Sequence, residues 1–304
     1  AHPAFSKAAR YFGMRLVRVP VDARTLRADV DAMRAAITPR TVCLVASAPQ
    51  YPHGAIDDVA AIAALARAHG VGCHVDGCLG GFILPFAARL GYAVPPFDFA
   101  VRGVTSMSAD THKYGYATKG TSVVLFADAA LRRHMYTVVT GWAGGTYATA
   151  TLGGSRAGSL SAACWASLVH LGDDGYMRHA ERLMRTADAI RKGLAAIDGV
   201  RVLGGDDAPT TSPVFAFAAG APDSIDSYRL QAGLQRRGWE LGKTTAPLGI
   251  HVSLTAKHAG TEQRFLDDVR AVLAEMRADP DAYAGGSVAM YGVTAKLPAG
   301  LGAA

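Results

Sequence analysis

SMSADTHKYGYATKG, residues 106–120, sets a lysine directly behind a histidine in a run of small and polar residues. Apolar segments with strand character flank it, VTSMS at 104–108 and TSVVLF at 121–126, so the lysine stands on a loop at a strand end. Outward from it, VGCHV (71–75) and TVCLVA (41–46) are short, nearly continuous apolar runs, as buried parallel strands tend to be. Between those two, Asp57 and Asp58 open a helix through AIAALARAH that Gly70 stops, with acids where the macrodipole favours them. Strands alternating with helices require crossover connections, which predicts an α/β domain: a mostly parallel sheet flanked by helices.

The remaining pattern divides the chain. TLRADVDAMRAAI carries Leu26, Val30, Met33 and Ile37 at helical spacing, predicting a helix there. The glycine-rich segment 140–160 has no clear period and reads as a long functional loop, followed by a buried helix SAACWASLVHL and a long helix over 176–197. From about residue 199 the order is strand (VRVLG), strand (SPVFAFA), helix (225–237), strand (WELGK), strand (IHVSLTA) and helix (262–277), a compact α+β unit. The expected division is a large domain over 1–172 and a smaller C-terminal one over 173–304, with a frayed tail after about Lys296.

Half of the 304 residues are hydrophobic and 18% are charged, which fits a well-packed globular protein and excludes disorder or a coiled coil. The net charge of +6 suits anionic small ligands, and no Lys/Arg block marks a nucleic-acid surface. Cys43, Cys73, Cys78 and Cys164 show no C-x-x-C pairing and read as buried reduced thiols, hence a reducing, cytoplasmic setting. No run approaches the roughly 18 apolar residues of a membrane span. The chain opens AHPAFSKAARYFG, without an initiator Met or the apolar core of a signal peptide, so it is expected to begin in mid-domain. An Ala- and Arg-rich composition points to a GC-rich, bacterial genome.

In open α/β sheets ligands collect at the carboxyl ends of strands. Asp76 follows one such end in HVDG, His112 and Lys113 follow another, and Tyr51 and His53 follow a third in SAPQYPHG. Each alone has an ordinary reading, since an Asp after a strand is usually a turn former and a loop Lys is usually solvated. Together they offer an acid, an amine and aromatic groups to one crevice. A lysine opposite a buried carboxylate suits an aldehyde cofactor with a ring nitrogen: the amine forms a Schiff base and the acid keeps the ring protonated and electron-poor. His74 and Asp76 share a strand face, but the other histidines are scattered, which argues against a metal site. No G-x-S-x-G elbow supports a hydrolase.

The segments AHPAFSKAARYFGM, APQYPHGAID, HVDGCLGGF, SADTHKYGYATKGTSVVLF and GGSRAGSLSAACWA resemble the sphingosine-1-phosphate lyases, within the pyridoxal-phosphate decarboxylases of the aspartate-aminotransferase (type I) fold. The resemblance runs from His2 to about Tyr291. It implies pyridoxal 5′-phosphate as cofactor, with Lys113 as the Schiff-base lysine, Asp76 as the ring-nitrogen partner, His2 as the stacking histidine and His112 as a contact to the cofactor phosphate. It makes Ser155 the residue reaching the cofactor phosphate of a neighbouring subunit, hence a homodimer with shared active sites. Lys119 is matched to the lysine that grips the substrate phosphate, and Tyr51 to the tyrosine that assists proton transfer. The implied reaction is retro-aldol cleavage of a sphingoid base 1-phosphate to a long-chain aldehyde and phosphoethanolamine.

Gly77, Thr118, Ala157 and Ser159 depart from the family's usual alanine, proline, proline and glycine. The family's phosphate-cradling glycine–threonine loop belongs before His2, so an upstream portion of the domain is expected. Two other readings stay open: an amino-acid decarboxylase of the same fold, and a catalytically silent fragment.

Overall fold

A computed structural model describes residues 1–205, 208–220, 225–279 and 281–284. It divides into two compact units, one of residues 1–22, 27–51 and 55–181, the other of 23–26, 52–54 and 182–304. The sequence expectation of a frayed tail after Lys296 lies outside the described residues.

The first unit contains α1 (Ala4–Tyr11), α2 (Val30–Ala35), β1 (Cys43–Ser47), α3 (Val59–Ala68), β2 (Gly72–Asp76), α4 (Leu84–Arg89), β3 (Ser106–Ala109), β4 (Val123–Phe126), α5 (Ala129–Arg132), β5 (Thr137–Trp142) and β6 (Gly145–Thr149). One sheet orders its strands β1-β2-β3-β4; the first three run parallel and β4 is antiparallel. β1 and β2 thus form a β-α-β unit around α3, whose Val59, Ile62, Ala63, Leu65 and Ala66 are buried. Asp58 caps α3 by accepting from the Ala61 N–H at 2.9 Å. Asp57, which the sequence groups with it, does something else: its buried carboxylate accepts from the backbone of Ala28 and Ser47, both at 2.8 Å, and fixes the end of β1.

The second unit is built from β7 (Val200–Val202), β8 (Val214–Ala219), α7 (Ser227–Arg236), β9 (Gly242–Thr245), β10 (Leu248–Ser253) and α8 (Glu262–Ala278), with the antiparallel sheet order β7-β8-β10-β9. Phe215 and Phe217 of β8 are wholly buried, and Phe217 meets Phe265 of α8 edge-on. The long helix α6 (Gly158–Ala195) supplies residues to both units and breaks its helical dihedrals at Gly172, where φ is 57° and ψ is −175°.

Four expectations need correction. The glycine-rich segment is partly an antiparallel hairpin, β5 with β6; both strands are almost wholly exposed, so no alternating burial pattern marks them. The helix expected to be buried within SAACWASLVHL leaves Trp165 67% and Val169 61% exposed. The helix expected from Leu26 begins only at Val30, after an Asp29 cap, because Leu26 itself takes a left-handed φ of 59°. Among the cysteines, all free, only Cys73 is buried; Cys43 is exposed and the other two are intermediate.

Candidate functional site

Parallel pairing puts the carboxyl ends of β1, β2 and β3 at one edge of the sheet, and the register fixes which residues meet there. Ser47 pairs with Asp76, and Asp76 with Ser108. Asp76 is 6% exposed. Its Oδ1 accepts from the Cys78 N–H at 3.1 Å and the Ser108 hydroxyl at 3.3 Å, while its second oxygen accepts no hydrogen bond from the described residues. The neighbouring Ser47 hydroxyl is buried and has no partner either. The turn after β2 is held tight against the sheet: a Cβ on Gly80 would lie 2.0 Å from the Ala48 carbonyl oxygen.

The lysine-bearing loop is wound as tightly. Backbone bonds join Lys113 N–H to Asp110 O, Tyr116 N–H to Lys113 O and Ala117 N–H to Thr111 O. The Thr111 hydroxyl donates to the Thr121 carbonyl at 2.9 Å, and Tyr176 donates its hydroxyl to Gly115 O at 2.7 Å. Tyr116 pays for the turn with a φ of 56°, its ring lying 4.7 Å from that of His179. So constrained, the loop carries Lys113 Nζ to 2.9 Å from Asp110 Oδ2. The Ser122 hydroxyl donates to the other Asp110 oxygen at 2.6 Å, and His112 Nε2 stands 3.8 Å from Oδ2. His112 Nδ1 hydrogen-bonds the Thr121 carbonyl, which fixes the ring.

Cys78 links the two strand ends through its backbone, its N–H donating to Asp76 Oδ1 at 3.1 Å and its carbonyl accepting from the Asp110 N–H at 3.2 Å; its thiol interacts electrostatically with both Asp76 and Lys113. Burial and then the Asp76 carboxylate push that thiol up to about 11, so it is a neutral thiol. Burial works to lower the Lys113 ammonium, but the hydrogen bonds to Asp110 and Cys78 outweigh it and raise the amine above lysine's ordinary value. Burial lowers His74, against the opposing pull of Asp76; its Nδ1 pairs with Ser106 Oγ at 2.9 Å and its ring meets Phe5 of α1 at 5.7 Å.

His2, Tyr51, Asp76, His112, Lys113, Lys119 and Ser155 belong to the first unit, whereas His53, grouped with Tyr51 in the sequence, is buried in the second. The structure joins Asp76, His112 and Lys113 through hydrogen bonds and ion pairs. His2, Lys119 and Ser155 are exposed and outside that linked set, His2 accepting from the Ala4 N–H at the start of α1. Tyr51 is 51% exposed on the turn after β1. Sequence reading missed Asp110, Ser122, Cys78 and Ser108. Asp110 had a visible signal, lying three residues before the lysine in one turn; Ser122 and Ser108 had none, since only strand register brings them in. The set fits the expected cofactor. It offers a primary amine for an aldehyde, and opposite it a buried carboxylate with one oxygen open for a ring N–H.

Residues 1–203 match the family model described as the pyridoxal-dependent decarboxylase conserved domain. A sphingosine-1-phosphate lyase from Dictyostelium discoideum is 47% identical over 88% of this chain and 49% of its own length. A probable sphingosine-1-phosphate lyase from Legionella pneumophila is 35% identical over 98% of the chain and 50% of its own. Among solved structures, a sphingosine-1-phosphate lyase from Burkholderia pseudomallei superposes with a TM-score of 0.87 at 42% identity, covering 93% of this chain and 63% of that one. Glutamate decarboxylase from Lactobacillus brevis, at a TM-score of 0.77 and 21% identity, shares the fold. The chain therefore spans about half the length of the relatives it matches in sequence. The family match over two-thirds of the residues, on a fold that carries Lys113 and Asp76 to one sheet edge, establishes that this chain belongs to the pyridoxal-dependent decarboxylase family.

Proposed function

We propose that the chain belongs to a carbon–carbon lyase that cleaves phosphorylated sphingoid bases to a long-chain aldehyde and phosphoethanolamine. The observation that carries this reading is the linked Asp76–Cys78–Asp110–Lys113 set at the carboxyl edge, in a chain 35–47% identical to the two sphingosine-1-phosphate lyases compared above. Pyridoxal phosphate, when bound, supplies the electron sink for the bond that breaks. Lys113 anchors it through its amine, Asp76 keeps its ring nitrogen protonated, His2 covers the ring, and His112 takes part in holding its phosphate. Lys119, an exposed point charge on a flexible stem, suits the substrate phosphate, so that binding energy remote from the reacting carbons orients them. Tyr51 moves the proton of the C3 hydroxyl.

The cofactor-binding part in this reading is residues 1–172, with 173–304 as the smaller domain, in a cytoplasmic bacterial enzyme. The active unit is a homodimer in which Ser155 reaches the neighbour's cofactor phosphate. Exposed apolar side chains of the first unit support a covered surface there: Trp142 and Val138 on the hairpin, Leu152 beside Ser155, and Trp165 on α6.

The chain, supplied with pyridoxal phosphate and a phosphorylated sphingoid base, is expected to release phosphoethanolamine and a long-chain aldehyde. Carbon dioxide from glutamate or an aromatic amino acid, with no aldehyde, would instead favour the decarboxylase reading. Light scattering checks the dimer: a particle of one chain's mass contradicts it.

A further inference from the structure

Lys113 has a partner that none of the cofactor roles above uses. Asp110 lies three residues earlier in the same turn, 15% exposed at its side chain, with one oxygen 2.9 Å from Lys113 Nζ. Its other oxygen is held by the Ser122 hydroxyl of the adjoining β4 approach at 2.6 Å, so the carboxylate is anchored before the lysine arrives. We propose that Asp110 is a positioning residue: the dedicated counter-ion that receives the Lys113 amine whenever it is not bonded to the cofactor, holding it as an ammonium, with Ser122 fixing the carboxylate. The inference rests on the reading of Lys113 as the cofactor lysine and adds what governs that lysine's charge.

The groups facing Lys113 come from two elements. From its own turn there are Asp110 and, beyond it, His112, whose Nε2 is 3.8 Å from the same carboxylate oxygen. From the turn after β2 there is the thiol of Cys78, whose backbone N–H donates to Asp76. Of these, Asp110 is the one in direct ion-pair contact with the amine. An anchored carboxylate at that distance favours the charged amine over the neutral one. Before Lys113 can attack an aldehyde it must give up one proton to solvent, and Asp110 moves that event to higher pH. The same contact gives the displaced lysine a fixed resting place within the turn, so it returns to the cofactor from a defined position.

The test is competitive acetylation of the cofactor-free chain with acetic anhydride across a pH series. Mass spectrometry reads Lys113 against the exposed Lys119 as internal reference. In the parent protein Lys113 should titrate above Lys119; a midpoint at or below that of Lys119 overturns the proposal without any variant. In Asp110→Asn the Lys113 midpoint should fall by one pH unit or more, a tenfold or greater rise in labelling below both midpoints, and Asp110→Glu should restore much of it. Ser122→Ala should move it the same way by less, and covers the case in which Asp110→Asn does not fold. An unmoved Lys113 midpoint in the folded variants contradicts the assignment. Because labelling needs neither cofactor nor substrate, it reads out even if the lyase activity proposed above is absent.

Discussion

At the scale of single residues, the chemistry beside Asp76 depends on how closely strand ends approach. A Cβ on Gly77 would come 2.6 Å from Met107 Cε and 2.9 Å from the Ser108 carbonyl oxygen. An alanine here would press on the backbone carbonyl of Ser108 and displace the tip of the Met107 side chain. Gly77→Ala should destabilise the first unit by about 1–3 kcal/mol, as overpacking does, and urea unfolding checks it; an unchanged midpoint would show that Met107 and the β3 backbone yield freely. Lys113 and Asp76 were legible in the sequence because amine and acid each follow an apolar run. Asp110 was hidden by its ordinariness, since an aspartate after a strand is a common turn former, and only the distance to Nζ separates the two roles.

Elements were legible where burial imposed a pattern. The parallel strands and α3 have one, because both faces of the sheet or one stripe of the helix are covered. The hairpin β5–β6 has none: its TVVTGW strand is exposed at every position, and the glycines around its turn disguised it as a loop. α6 was read as two helices, and the break between the two lies at Gly172, in a backbone region open essentially to glycine. Gly172→Ala should cost about 1–3 kcal/mol, or straighten the helix. Hydrogen exchange across residues 168–176 distinguishes these from the contradicting outcome, which is unaltered protection and stability.

For the molecule as a whole, two units with separate cores mean that stability is not one number. The second unit buries His53 and His251 with little exposure, His251 Nδ1 lying 3.1 Å from the Pro52 carbonyl oxygen. Burial first, and the charge of His251 second, push His53 down to about 4; burial also lowers His251. The folded state thus holds neutral imidazole where an unfolded chain, titrating near 6.5, takes up a proton. The stabilisation from His53 is complete above about pH 6.5 and is lost as pH falls toward 4, amounting to at most about 3 kcal/mol. Urea midpoints at pH 7 and pH 5, followed by hydrogen exchange in β8 and β10, should show the fall. His53→Gln should reduce it, and a pH-independent parent protein would contradict the burial argument. A change from α/β to α+β character along the chain was visible in the order of strand and helix periods. The return of residues 23–26 and 52–54 to the second unit was not, because it depends on tertiary contacts of short irregular segments. The central claim, that Lys113 is the cofactor's covalent anchor, is tested most directly by adding pyridoxal phosphate, reducing with borohydride and mapping the modified peptide. The yellow absorption should vanish on reduction and leave the adduct on Lys113; a folded protein that stays colourless, or carries the adduct on another lysine, would contradict it.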